Sequence, residues 1–125
     1  MALNGRYRLG KELRLRKRWE FLAVQGGGTR QRGRYFILIA RQREVEGPTR
    51  LGITVSRRVG GAVVRNRVKR LVREAFRIHR QDLPPSFDLV VVAKQPAARA
   101  SLAEIEHDLL GTARELARKL NRPEP

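Results

Sequence analysis

Leu51-Gly-Ile-Thr-Val-Ser-Arg-Arg-Val-Gly-Gly-Ala-Val-Val-Arg-Asn-Arg-Val-Lys-Arg-Leu-Val-Arg-Glu-Ala-Phe76 changes its hydrophobic period part-way along, and that change decides the fold. Over Leu51–Ser56 the side chains alternate. Leu51, Ile53 and Val55 fall on one side and Gly52, Thr54 and Ser56 on the other, as the two faces of a strand require. The first face suits a core and the second suits contact. After the Gly60-Gly61 turn the period becomes helical from Ala62 to Arg80. Val64, Val68, Leu71, Val72, Ala75, Ile78 and His79 share one arc at about 100° per residue, and Arg65, Lys69, Arg70, Arg73, Arg77 and Arg80 share the opposite one. Pro84-Pro85 imposes an extended break, and Asp88-Leu-Val-Val-Val-Ala-Lys94 is a near-continuous apolar run of the kind a central strand shows. Strand, helix and strand follow in order.

Upstream, Tyr35-Phe-Ile-Leu-Ile-Ala40 is rich in β-branched and aromatic residues. The Glu44–Thr49 loop, with Gly47-Pro48, separates it from Leu51, so the two runs are expected to be neighbouring antiparallel strands. Trp19, Phe21, Leu22 and Val24 suit a short helix from Lys17 to Val24, which Gly26-Gly27-Gly28 ends. Met1–Arg16 shows no sustained periodicity and is expected to be an extended, mobile basic arm. Downstream, Ser101 and Glu104 form a capping box. Leu102, Ile105, Leu109, Ala113, Leu116 and Leu120 then recur at helical spacing, and Asn121–Pro125 is expected to fray. The order is α-β-β-α-β-α: one α/β (α+β) sandwich domain over residues 1–125, with no internal repeat.

The 125 residues include 28 Lys plus Arg against 12 Asp plus Glu, a net charge of +16. Such a charge repels itself in the folded state and points to a polyanionic partner, nucleic acid first. No apolar run approaches the roughly 20 residues that span a bilayer, and the basic first eighteen lack the apolar segment of a secretory signal. With no cysteine there is neither a disulfide framework nor a thiolate metal site. The cytoplasm is the expected compartment, and neither a membrane nor a small-molecule substrate is an expected partner.

Arg65, Lys69 and Arg73, at i, i+4 and i+8, lie about 6 Å apart along a helix axis, comparable with the spacing of phosphates along a strand. A merely solvated helix face would mix signs, yet Glu74 is the only acid between Arg50 and Asp82. Arg57 and Arg58 are delivered to the turn that opens this helix. A protein nuclease would need clustered carboxylates or a His acid and base. The acids are scattered instead: Glu44 and Glu46 in a loop, Asp88 at a strand start, and Glu104, Glu106 and Asp108 on the last helix. His79 and His107 suit structural or solvent roles. No catalytic or metal-binding residue is expected in the chain.

Arg65-Asn66-Arg67, followed by Lys69-Arg70, Arg73 and Ala75-Phe76, resembles the RNR signature of the bacterial ribonuclease P protein family. Leu51–Gly60 resembles that family's strand and turn, and Phe21, Gly28, Phe36 and Leu89–Lys94 fall at fitting separations. The resemblance covers most of residues 9 to 118. It implies an uncommon left-handed βαβ crossover, against the usual hand. It also implies a subunit that binds catalytic RNA and the 5′ leader of precursor tRNA during leader removal, with Mg2+ held mainly by the RNA. Carried over residue by residue, Arg57, Arg58, Arg65, Asn66, Arg67, Lys69, Arg70 and Arg73 are expected to contact that RNA. Arg67 lies off the basic arc, and an internal anchoring role stays open for it. Phe21, Phe36, Thr54 and Ser56 are expected to contact the leader in a cleft between the sheet and the first helix. A core role is the alternative for both aromatics. Gln25 stands where many members carry a second aromatic, leaving Trp19 or Tyr35 as substitutes, and Gly61 stands where Asn is usual. The rivals are a ribosomal protein, a DNA-binding factor without helix-turn-helix or zinc spacing, and a stand-alone nuclease.

Overall fold

The alternation of Leu51–Ser56 and the apolar run after Asp88 become two parallel strands in the computed structural model, which describes residues 9–83 and 85–120. In chain order the elements are α1 (Arg18–Gly27), β1 (Thr29–Arg32), β2 (Phe36–Gln42), β3 (Arg50–Thr54), α2 (Ala62–His79), β4 (Phe87–Ala93) and α3 (Leu102–Leu120). Short 3-10 turns lie at Lys11–Leu13, Arg80–Asp82 and Gln95–Arg99. The first half of the expected arm (1–8), Pro84 and the expected frayed tail (121–125) lie outside the described residues.

The sheet order is β1-β2-β4-β3. β2 pairs antiparallel with β1 and with β4, and β3 pairs parallel with β4. The expected pairing of β2 with β3 is therefore wrong: β4 lies between them. Burial supplies the reason. Val90 and Val91 point to opposite faces and both are fully buried, as suits a strand covered on both faces with a neighbour on each side.

One face of the sheet carries Phe36, Leu38, Ala40, Leu51, Leu89 and Val91, packed with Val68, Val72, Ala75 and Phe76 of α2 and Ile105, Leu109 and Leu116 of α3. Ile78, expected on the apolar arc, is 46% exposed. The other face is smaller: Ile39 and Val90 lie with Leu15 and Val24, and Phe21, Ile37 and Val92 pack around them. α1 runs on through Gly26 and Gly27, and at its end the Gly28 amide donates to the Val24 carbonyl (2.7 Å). A Cβ on Gly28 would sit 2.6 Å from that carbonyl oxygen and 2.8 Å from Ile39 Cγ2, so the helix closes onto the sheet only with glycine there.

Two departures from the sequence reading concern short polar or basic stretches. Residues 9–16 are not a free arm: Leu9 and Leu13 are buried in the larger cluster and Leu15 in the smaller. The Leu15 amide donates to the Leu51 carbonyl (2.8 Å), so this segment covers the outer edge of β3. β1, Thr-Arg-Gln-Arg, contains no apolar residue and gave no strand signal.

Ion pairs and caps set the angles between layers. Arg50 grips Asp88 with Nε and Nη2 (both 2.9 Å), and its Nη1 reaches Glu20 Oε2 (3.0 Å). Glu20 Oε1 accepts the Lys17 and Arg16 amides (2.9 and 3.1 Å), so one guanidinium joins β3, β4 and the start of α1. The Ser101–Glu104 capping box forms as expected. Glu104 also accepts the Tyr35 hydroxyl (2.6 Å), and Asp108 accepts the Arg34 and Tyr35 amides (2.8 Å each), fastening α3 to the β1–β2 hairpin.

Arg50→Met should lower the urea-unfolding free energy by about 2 kcal/mol at neutral pH, because it strands two mostly buried carboxylates, with partial exposure tempering the cost. Burial pushes the Glu20 carboxyl up, but the Lys17 and Arg16 amides and the Arg50 charge outweigh it and hold the carboxyl below its ordinary 4.5. An acid whose pKa folding depresses contributes stability above its unfolded pKa and loses it as pH falls. The gap between wild type and Arg50→Met should therefore narrow below about pH 4.5.

Candidate nucleic-acid interface

β3 ends at Thr54 and the chain turns through Ser56–Val59, where the Val59 amide donates to the Ser56 carbonyl (3.1 Å). Val55 and Val59 are buried and hold the turn down, leaving Arg57 and Arg58 exposed at its tip. Gly61 precedes α2 in extended conformation, and α2 then presents its cations along the side away from the core. Among the described residues, no ion pair involves Arg57, Arg58, Arg65, Lys69, Arg70 or Arg73. Glu74 is taken by Arg77 (2.6 Å). Asn66 is exposed beside this stripe.

Two features sharpen the stripe. Burial, and then repulsion from Arg14, hold the Arg73 pKa below the ordinary arginine value. Arg14, delivered by the segment that edges β3, thus adds a cation the sequence reading missed. The Nε atoms of Arg14 and Arg65 are also buried without a hydrogen-bond partner. Unpaired and crowded cations cost stability when the protein stands alone, and a polyanion relieves them.

Arg67 behaves otherwise. Two positions beyond Arg65 it has rotated about 200° around the helix. Its Nη2 donates to the Ala100 carbonyl (2.9 Å) and its Nη1 to the Ala98 carbonyl (3.4 Å). The expected RNA contact is thus engaged inside the protein, where it ties α2 to the entry of α3.

The opposite sheet face carries the second candidate surface. Strand register aligns Arg32, Ile37, Val92 and Thr54 in one row across all four strands. Phe21 leans over the next row, and a Cβ on Gly52 would meet Phe21 Cε2 at 2.7 Å and Cζ at 2.8 Å. Phe21, Ile37, Val92 and Thr54 are all half-buried, forming a shallow apolar and polar floor beside α1. Ser56 is exposed just past the end of β3. Phe36 does not belong to this surface: its ring points to the other face and is fully buried, because Phe36 and Ile37 alternate across the sheet. Tyr35 is buried, with its hydroxyl on Glu104. Trp19 is 65% exposed but lies about 200° around α1 from Phe21, so neither Tyr35 nor Trp19 joins the floor.

Magnesium was expected with the partner RNA. Among the described residues no three His, Asp or Glu side chains come together to hold a metal. Asp88 and Glu20 are spent on Arg50, Asp82 and Glu106 flank His79, and Asp108 binds amides. These side chains do not fit a magnesium site.

A mixed four-stranded sheet with an unneutralised basic helix on one face and a half-covered floor on the other defines a small α/β protein built to meet a polyanion. Residues 9–117 match the family model for Ribonuclease P. The ribonuclease P protein component of Desulfovibrio desulfuricans is 46% identical over 118 residues, covering 92% of this chain and 91% of that protein. That of Exiguobacterium sibiricum is 41% identical over 99 residues, 79% of this chain and 85% of the relative. Among solved structures, a Staphylococcus aureus RNase P protein mutant with defective mRNA degradation activity superposes with a TM-score of 0.80 at 28% identity, over 92% of this chain and 97% of that one. The RNase P protein of Thermotoga maritima gives 0.74 at 33% identity, over 82% and 96%. The chain belongs to the ribonuclease P protein family.

Arg67 of the RNR motif should separate experimentally from Arg73. Arg67→Ala strands two carbonyls and should cost about 1–2 kcal/mol in denaturant melts, whereas Arg73→Ala relieves repulsion and should melt no earlier than wild type. On the other face, Gly52→Ala should cost about 1–3 kcal/mol by displacing the Phe21 ring, with the aromatic near-ultraviolet circular dichroism reporting the shift.

Proposed function

We propose that the chain binds the catalytic RNA of ribonuclease P through the turn and stripe of Arg57, Arg58, Arg65, Asn66, Lys69, Arg70 and Arg73, and holds the 5′ leader of precursor tRNA on the floor around Phe21, Thr54 and Ser56. The observation that carries this reading is the run of unpaired cations along α2 in a chain whose sequence and fold belong to the ribonuclease P proteins. Arg side chains clamp phosphate with paired N–H groups, and single-stranded bases lie on aromatic and apolar floors regardless of sequence. The protein's contribution is electrostatic screening of two RNAs that repel one another, together with leader contacts. Hydrolysis of the phosphodiester is assigned to the RNA with its magnesium ions, in the cytoplasm. Arg67 supports the grip indirectly by fixing α2 against α3.

The decisive assay is precursor-tRNA cleavage at low magnesium with bacterial ribonuclease P RNA alone, with the wild-type chain, and with an Arg65→Ala/Arg73→Ala variant. Wild type should restore cleavage, and the variant should fall short by at least about tenfold, since each charged contact to phosphate contributes on the order of 1 kcal/mol or more. Cleavage by the chain without RNA, or no stimulation by wild type, would overturn the reading in favour of a protein-only or ribosomal role.

A further inference from the structure

The row that crosses the sheet from Thr54 does not stop at Ile37; it ends on β1. Register puts Arg32 beside Ile37 and Arg30 beside Ile39, so both arginines project on the face that carries α1. Both are exposed, and neither is in an ion pair among the described residues. Arg30 is also positioned: its Nη2 donates to the Gln25 carbonyl at the end of α1 (3.1 Å), which leaves most of its guanidinium donors unused. From the other side of the strand, Lys119 Nζ donates to the Arg30 carbonyl (2.8 Å), bringing a third cation to the same edge. A concavity of about 380 Å³ wraps this edge, lined by Arg30, Gln31, Arg32, Ile37 and Lys119. Gln31, between the two arginines, pairs with Leu38 and projects to the opposite face, so the cations rather than this amide face the track.

We propose that the β1 edge, with Arg32 and Arg30 as its phosphate ligands and Lys119 behind them, is the distal end of the single-stranded RNA track. The proposal rests on the leader-floor reading above and extends it. Three strand spacings separate Thr54 from Arg32, about 14 Å, and Arg30 lies about 7 Å further along β1. An RNA strand that leaves the turn at Arg57 and crosses Thr54, Val92 and Ile37 therefore meets the β1 cations after a stretch of mostly apolar floor. Nucleotides at this edge would be those furthest from the α2 stripe, so the contact should matter only for leaders long enough to arrive.

Binding of precursor tRNAs with leaders of about two and about ten nucleotides to the reconstituted holoenzyme tests this. The Arg32 side chain is exposed and in no ion pair among the described residues, so Arg32→Ala should fold normally. It is expected to weaken binding of the long-leader substrate roughly fivefold, to reduce the salt slope by about 0.7, and to leave the short-leader substrate unchanged. Arg118→Ala, which removes a cation paired with Glu115 on α3, should change neither. If Arg32→Ala and Arg30→Gln both match wild type while wild type still prefers the long leader, the edge is not part of the track and the leader floor stands alone. Equal weakening of both substrates would overturn the proposal too. A wild type indifferent to leader length overturns the floor reading itself.

Discussion

β4 has to bury both of its faces, and the remainder of the molecule is arranged around that requirement. Its apolar run needs a strand on each side and a covering layer above and below. β2 and β3 supply the sides, α2 and α3 one cover, and α1 with Leu15 the other. Because β3 lies parallel to β4, the connection between them must cross the sheet, and a helix is the usual way to make that crossing. The crossing helix is α2. Its basic side is turned out because its other side is needed as the lid.

Charge is organised by the same geometry. Several acids are engaged in stapling layers together: Asp88 and Glu20 through Arg50, Glu104 and Asp108 at the hairpin, and Glu106 beside His79. With these acids engaged elsewhere, the stripe on α2, where Arg14 also repels Arg73, stays without compensation. The excess of cations is thus a feature of placement as well as of number. Acids that might have neutralised the stripe are occupied in holding the fold.

The elements legible in the sequence were those with a strong period. α2 and α3 follow their apolar spacing, β4 its unbroken run, and Ser101 with Glu104 marks the start of α3. The elements missed were those whose signal lies in the partner. β1 contains only polar residues and becomes a strand because β2 offers it a hydrogen-bonding edge. Leu9, Leu13 and Leu15 gave no run long enough to read, yet each enters a cluster. Among site residues, Phe21 and Phe36 both lie in apolar runs, and the sequence already favours a core role for Phe36 but leaves Phe21 open. The sheet places them on opposite faces, Phe21 over a half-covered floor and Phe36 in a sealed core.

The sequence by itself determined the charge, the helical stripe, the family and the identity of the central strand, because these depend on composition and on side chains near one another along the chain. Tertiary structure alone decided the strand order, which places β4 between β2 and β3. It turned Arg67 inward to two carbonyls, brought Arg14 close enough to repel Arg73, and aligned Arg32 with Thr54 across four strands. These are relations between segments remote in sequence, set by which surfaces must be buried together, and no local period encodes them.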